Sequence, residues 1–274
     1  MVLLILVNLW SMVSFNSRLK SLVKERQSWL CVGLDMNPEA FGPGELHNLK
    51  EHTFNVIDAT REFAVAYKPN FAFFERWGAA GFAWLEETVS YIGDDFIKIA
   101  DAKRGDIGNT AAQYAKSIFG HFSFDGVTLS PYMGRDSIDP FLMDQEKGVF
   151  ILCRTSNPSA KDIQDRSESG QPLYETVARL ANELNTGDNV GLVVGATAPE
   201  ELLRIREIAP ELPFLIPGVG AQGGDLGHSV KVGNQSGVGL INVSRGISFV
   251  GDLSESAIHT AAREYVEDMR EAMG

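Results

Sequence analysis

Three ionisable residues at fixed spacing, Asp101-x-Lys103-x-x-Asp106, close an apolar run that begins at Phe96. Side chains alternate faces along a strand, so Asp101 and Lys103 are expected on one face with Ile97 and Ile99. If that face points into a packed interior, two opposite charges sit where charge is costly unless paired. Perturbed ionisable groups of this kind serve catalysis. The structural alternative is an Asp101–Lys103 ion pair at a strand end, with Asp106 as N-cap of the Ala-rich helix expected from Gly108 to Ile118. A second chemistry is phosphate binding. Pro217-Gly218-Val219-Gly220-Ala221-Gln222-Gly223-Gly224-Asp225 contains Gly-x-Gly-x-x-Gly. Its backbone amides can hold an anion, with Gln222 adding a donor and Arg245 a cation for the phosphate oxygens. A third stretch, Leu152-Cys153-Arg154-Thr155-Ser156-Asn157-Pro158, offers hydroxyl and amide groups that could match a polar ring. Taken alone, it reads as a strand end running into a turn.

The elements that must position these residues alternate along the chain. Short apolar strands are expected at 30–35, 64–69, 96–103, 126–130, 148–156, 190–196, 214–220 and 239–244. Helical spacing lies between them, at 46–63, at 71–91 and most clearly at 173–184 and 199–208, and 257–273 closes the chain. Eight strands apolar on both faces and alternating with helices predict a parallel sheet. Eight such units predict a closed (β/α)8 TIM barrel, of the α/β class, in preference to an open doubly wound sheet. Asp35, Lys68, Asp101, Lys103, Ser156 and Arg245 then fall at or just past C-terminal strand ends, the rim on which barrel active sites form. The same placement weakens a dinucleotide reading of the glycine loop. The loop follows the seventh strand instead of opening a first βαβ unit, and Asn242, Ser244 and Arg245 stand where an acidic partner would be needed.

Composition narrows the setting. The 274 residues carry no linker-like tract, so residues 15–274 are expected to form one domain. Residues 1–14 are expected to be an apolar extension outside the fold, with Met12 as the expected start. The apolar run is shorter than the ~20 residues of a membrane span, and it lacks the basic leader and cleavage site of a secretory signal. A formal net charge of −12 argues against non-specific nucleic-acid binding but leaves room for a phosphorylated small molecule. Cys31 and Cys153 lie in apolar runs and read as buried free thiols of a reducing cytoplasm, without a metal-binding Cys pattern.

From about Phe15 to its end the chain resembles the orotidine 5′-monophosphate decarboxylase family. The most specific element is Asp101-x-Lys103-x-x-Asp106-Ile107, supported by the Gly218–Asp225 loop and Arg245. Lys68-Pro69-Asn70, Phe73-Phe74-Glu75 and Arg104-Gly105 resemble the longer bacterial and archaeal branch. The resemblance implies a (β/α)8 homodimer with neither metal nor organic cofactor, converting orotidine monophosphate to uridine monophosphate and carbon dioxide in pyrimidine synthesis. It makes Lys103 the proton donor to C6 of the ring and places Asp101 near the departing carboxylate. Asp106 and Thr110 would reach into the neighbouring subunit's site. Asp35 and Lys68 would hold the ribose hydroxyls, Ser156 the pyrimidine edge, and Gln222 and Arg245 the phosphate. Ile107, Pro217 and Gly246 complete the implied substrate-binding set.

The chemistry implied by the resemblance suits these residue types. Loss of carbon dioxide from C6 leaves an electron pair in the ring plane, which a preorganised ammonium stabilises and then protonates. Flanking carboxylates favour that ammonium's charged form. The nearest rivals are metal-dependent barrels with the same Asp-x-Lys-x-x-Asp spacing, such as a 3-keto-gulonate phosphate decarboxylase or a hexulose phosphate synthase. Their magnesium needs carboxylate ligands, whereas Lys68 supplies a cation. A non-catalytic nucleotide sensor would have no use for Asp101, Lys103 and Asp106.

Overall fold

Strands β1 (Leu30–Leu34), β2 (Ala66–Pro69), β3 (Ile97–Arg104), β4 (Gly126–Leu129), β5 (Gly148–Arg154), β6 (Val190–Val194), β7 (Phe214–Pro217) and β8 (Gly239–Val243) pair in parallel, each with the next in sequence. β8 returns to β1 through the register Leu30↔Ile241 and Cys31↔Asn242, closing the barrel. These coordinates are a computed structural model that describes residues 13–40, 46–167, 170–220 and 223–274. The expected (β/α)8 architecture is the one observed. Several strands end before the apolar runs that announced them, because those runs continue into rim loops. β7 stops at Pro217 instead of Gly220, and β5 at Arg154 instead of Ser156.

Alternation of side chains divides the core in two. Inward-facing Cys31, Ala66, Ile97, Ile99, Phe150, Val193, Leu215 and Leu240 fill the barrel. Helix α1 (Phe15–Arg26) adds Phe15, Leu19 and Val23 to the same cluster. Ser14, whose hydroxyl accepts the Ser17 N–H, caps that helix. The Phe15 ring meets Phe150 edge-on at 5.9 Å and lies over the first residues of β4 and β5. A Cβ at Gly148 would stand 2.2 Å from that ring, so only glycine admits the plug.

Outward-facing residues pack under α2 (Leu46–Thr60), α3 (Phe71–Glu75), α4 (Gly78–Ile92), α5 (Gly108–Ala115), α6 (Leu173–Leu184), α7 (Pro199–Ile208), α8 (Leu226–Gly233), α9 (Arg245–Ser248) and α10 (Glu255–Met273). Two expected helices differ. The 71–91 segment breaks at Arg76–Trp77 into α3 and α4, and Gly81 comes so close to the Phe74 carbonyl that a Cβ there would clash at 1.8 Å. The helix expected to reach Ile118 loosens after Ala115 into a π-helical turn over Lys116–His121. No helix among the described residues is long and apolar enough to cross a membrane. Of the extension expected over residues 1–14, residues 1–12 lie outside the described residues, whereas Ser14 is joined to the fold as the cap of α1.

Candidate active site

The C-terminal strand ends surround a cavity of about 510 Å³. Asp35, Lys68, Asp101 and Lys103 line it, from the ends of β1, β2 and β3. Pro217 lines it from the end of β7, and Ser156, Arg245 and Gly246 line it from beyond β5 and β8. Strand direction is what gathers residues so distant in sequence, since each inward-facing side chain at a strand's C-terminal end points to the same mouth.

Asp101 is the centre of the charged cluster. Its Oδ2 accepts from the Lys68 ammonium at 2.5 Å, and its Oδ1 accepts from the Lys103 ammonium. Lys68 and Asp101 are nearly enclosed, with 5% and 10% of their side chains exposed, whereas Lys103 is 51% exposed towards the cavity it lines. Burial opposes charge on Asp101. The Lys68 and Lys103 charges and their hydrogen bonds outweigh it and hold the carboxyl well below the usual carboxylate range. Burial likewise opposes charge on Lys68, but Asp101 and Asp35 outweigh it and hold the ammonium above the ordinary lysine value. The buried Oδ1 of Asp35 has no hydrogen-bond partner among the described residues, so it is available to a donor in the cavity. Beneath this cluster the fully buried Cys31 thiol is pushed up to about 12, chiefly by its burial.

Asp101 and Lys103 meet, though not by simple alternation. β3 and β4 pair at Ala100↔Val127 and again at Arg104↔Leu129, so Asp101, Ala102 and Lys103 bulge opposite the single residue Thr128. Lys103 takes φ +44°, a left-handed conformation uncommon for a side chain of its length. Its N–H donates to Thr128 Oγ1 at 3.0 Å, and the Thr128 hydroxyl donates to Asp101 Oδ1 at 3.2 Å. The sequence gives no sign of this bulge, and Thr128 reads there as an ordinary residue of a buried strand.

The glycine loop also closes on itself near the cavity. Gly218 adopts φ +97°, and its carbonyl accepts the Gly224 N–H at 3.0 Å. Asp225 then caps α8 by accepting the His228 N–H at 2.8 Å. Pro217, Gly218 and Val219 line the cavity together with Ser244, Arg245 and Gly246. Beyond β5, Gln164 accepts the Thr155 N–H at 2.9 Å and donates to the Thr155 hydroxyl, which donates to Asn157. These side chains border Ser156. Gln164 was not among the expected residues, since nothing in its sequence surroundings links it to the strand end it supports.

Asp106, Ile107 and Thr110 do not line the cavity of their own chain; Ile107 and Thr110 are exposed at the start of α5. The structural alternative for Asp106 is corrected. Ile107 holds the N-cap position without a side-chain hydrogen bond, because Asp106 stands one residue too early and accepts the Ile107 N–H at 2.8 Å. Gln222 lies outside the described residues. Among the described residues no group of three or more His, Cys, Asp or Glu is arranged to hold a metal ion.

Comparison with known proteins follows the same lines. The family model described as orotidine 5′-phosphate decarboxylase / HUMPS family matches residues 28–258. The chain is 52% identical over 254 residues to an orotidine 5′-phosphate decarboxylase of Halorubrum lacusprofundi, covering 88% of this chain and 90% of that one. It is 46% identical over 267 residues to one of Dehalococcoides mccartyi, covering 95% and 97%. Among solved structures it is similar to the OMP decarboxylase of Leishmania donovani, with TM-score 0.84, 40% identity, and coverage of 94% of this chain and 98% of that one.

Proposed function

The chain belongs to the orotidine 5′-phosphate decarboxylase / HUMPS family, and from that premise we propose that it decarboxylates orotidine 5′-monophosphate to uridine 5′-monophosphate. The observation that carries the reading is the buried Asp101 carboxylate bridging Lys68 and Lys103 at the edge of a nucleotide-sized cavity. Breaking the C6–carboxylate bond releases carbon dioxide and leaves its electron pair on C6, in the ring plane and outside the π system. The Lys103 ammonium stabilises that charge, and its proton then passes to C6 to form the C–H bond of the product. Asp101 orients Lys103 and presents negative charge to the substrate carboxylate, which favours that group's departure.

The other residues bind. Asp35, whose carboxylate oxygen has no partner among the described residues, and Lys68 take the ribose hydroxyls. Ser156, steadied by its Thr155–Gln164–Asn157 neighbours, takes the pyrimidine edge. Arg245, Gly246, Pro217 and Gln222 take the phosphate. Enzymes commonly lower barriers by about 8–23 kcal/mol, more than one lysine supplies, so phosphate binding must also order the reacting end. The active unit is a homodimer in which Asp106 and Thr110 enter the partner subunit's cavity. Their position outside their own chain's cavity and the exposure of Thr110 support this. The reaction needs no metal or organic cofactor, a reading supported by the two ammonium groups that already occupy the Asp101 oxygens where a divalent ion would compete.

The test is the loss of orotidine monophosphate absorbance on adding purified protein, with and without EDTA. Turnover by the wild type that survives EDTA, with a folded but inert Lys103→Ala variant, is the expected result. No turnover would refute the activity, and full loss with EDTA would favour a metal-dependent relative.

A further inference from the structure

We propose that Thr128 is a positioning residue for the reaction, acting through its hydroxyl to hold Lys103 and Asp101 in register; this rests on the decarboxylase reading above. Thr128 is 2% exposed and lines the cavity from β4, opposite the three-residue bulge of β3. A threonine hydroxyl has one donor and two acceptor sites. Here the hydroxyl donates to Asp101 Oδ1 at 3.2 Å and accepts the Lys103 backbone N–H at 3.0 Å. Neither bond belongs to the barrel's ladder, because the β3–β4 register is interrupted across these residues.

The consequence is local and geometric. Lys103 stands at φ +44°, a conformation that persists in a non-glycine residue only when its surroundings hold it there. Its N–H is the backbone group that sets where the side chain departs, and Thr128 is its partner. The same hydroxyl supplies a third donor to Asp101, beside the Lys68 and Lys103 ammonium groups, and so fixes the plane of the carboxylate. With the hydroxyl gone, the bulge loses this side-chain tie to β4, and the ammonium and carboxylate can turn away from the reacting carbon. The phosphate-binding residues lie beyond β7 and β8 and are untouched. The effect therefore falls on kcat and not on KM.

Two substitutions separate the hydroxyl from the packing. Thr128→Val keeps the shape and loses both hydrogen bonds, whereas Thr128→Ser keeps the hydroxyl and loses a methyl. Displacement of a reacting group by an ångström costs up to about 100-fold, so Thr128→Val is expected to lower kcat by about 10- to 100-fold. KM should stay within about threefold, and Thr128→Ser should stay within about threefold of wild type in both constants. Circular dichroism establishes that each variant is folded. If Thr128→Val does not fold, Thr128→Ala replaces it, since Ala and Ser both lack the methyl and differ by the hydroxyl. A wild-type kcat in the hydroxyl-free variant would overturn the proposal while leaving the decarboxylase reading intact. A loss confined to KM, or an equal loss in Thr128→Ser, would also overturn it. An inactive wild type would overturn the decarboxylase reading, and the positioning role with it.

Discussion

Replacing Asp101 by Asn removes the anion that two lysines share while keeping the side chain's size. Lys68 and Asp101 are 2.5 Å apart and nearly enclosed, so solvent screens their pairing little. Lys103 is half exposed, and its share is no more than about 1 kcal/mol. Removing one partner of a buried pair costs about 3–5 kcal/mol. At a urea slope of about 3 kcal/mol/M the midpoint of Asp101→Asn should fall by about 1–1.7 M at neutral pH. The pH dependence gives the sharper test. In the wild type, Lys68 is held above its ordinary value of 10.5, so its contribution is complete below that value and is lost only as pH rises through the folded-state pKa. In Asp101→Asn the burial that opposes charge on Lys68 remains while the strongest opposing charge is gone, so its pKa is expected to fall below the ordinary value. A lysine depressed in the folded state gains stability as pH rises towards 10.5, because the unfolded chain then holds the extra proton. The gap between variant and wild type should therefore narrow as pH rises towards the ordinary lysine value of 10.5, and groups common to both chains cancel in the difference. Urea unfolding followed by circular dichroism at several pH values measures it. A midpoint within about 0.3 M of wild type at neutral pH, or a gap that does not narrow, would refute the reasoning.

Arg245→Ala should lower kcat/KM by about 10- to 150-fold, the equivalent of one charge-assisted contact of about 1.5–3 kcal/mol. Steady-state kinetics with an unchanged circular dichroism spectrum would check it, and a near-normal value would remove Arg245 from the phosphate site. Gly148→Ala should destabilise the fold by about 1–3 kcal/mol through overpacking against the Phe15 plug. Thermal unfolding would show it as a lower Tm, with kcat little changed because the plug lies at the far end of the barrel. Mixing inactive Lys103→Ala and Asp106→Ala subunits should restore part of the activity, since a mixed dimer holds one site carrying both lesions and one carrying neither. No recovery despite demonstrated subunit exchange would confine Asp106 to its own chain.

Much of this was legible in the sequence because the barrel turns strand order into position. A charged residue ending an apolar run, as at Asp35, Lys68 and Asp101, could be assigned to the rim without knowing any distance. The limits are equally physical. The β3 bulge leaves no trace in hydrophobic alternation, because Ala100 to Arg104 contains no glycine to mark the positive φ that Lys103 adopts. Thr128 is a β-branched residue in a buried strand, where threonine is ordinary for packing reasons. Gln164 reaches the site from a loop whose course no periodicity encodes. Asp106 misled by type, since aspartate is a common N-cap, whereas the helix starts at Gly108 as expected and leaves the cap position to Ile107. The division of 71–91 into two helices follows from a close approach at Gly81, which a helical pattern through Arg76 and Trp77 does not announce.

The charges of the cavity carry one further consequence for the reaction. The chain as a whole has a net charge of −12, yet among the described residues Lys68, Lys103 and Arg245 face only Asp35 and Asp101 across the cavity. An anionic substrate is thus repelled at long range and attracted only at the mouth. If Asp106 of the partner subunit approaches the exposed Lys103 ammonium, the substrate carboxylate enters between two carboxylates, and its entry is unfavourable until carbon dioxide leaves. Binding at the remote phosphate must offset that cost, so its contribution should appear in kcat as well as in binding. Orotidine, which lacks the phosphate, tests this. Its kcat/KM should fall by more than the about 10- to 150-fold expected for Arg245→Ala, since it also forfeits the contacts proposed for the loop backbone and Gln222. Part of that loss should lie in kcat measured at saturation. A loss confined to KM would mean that the phosphate only tethers the substrate, and the coupling between the glycine loop and the Asp101–Lys103 pair would have to be abandoned.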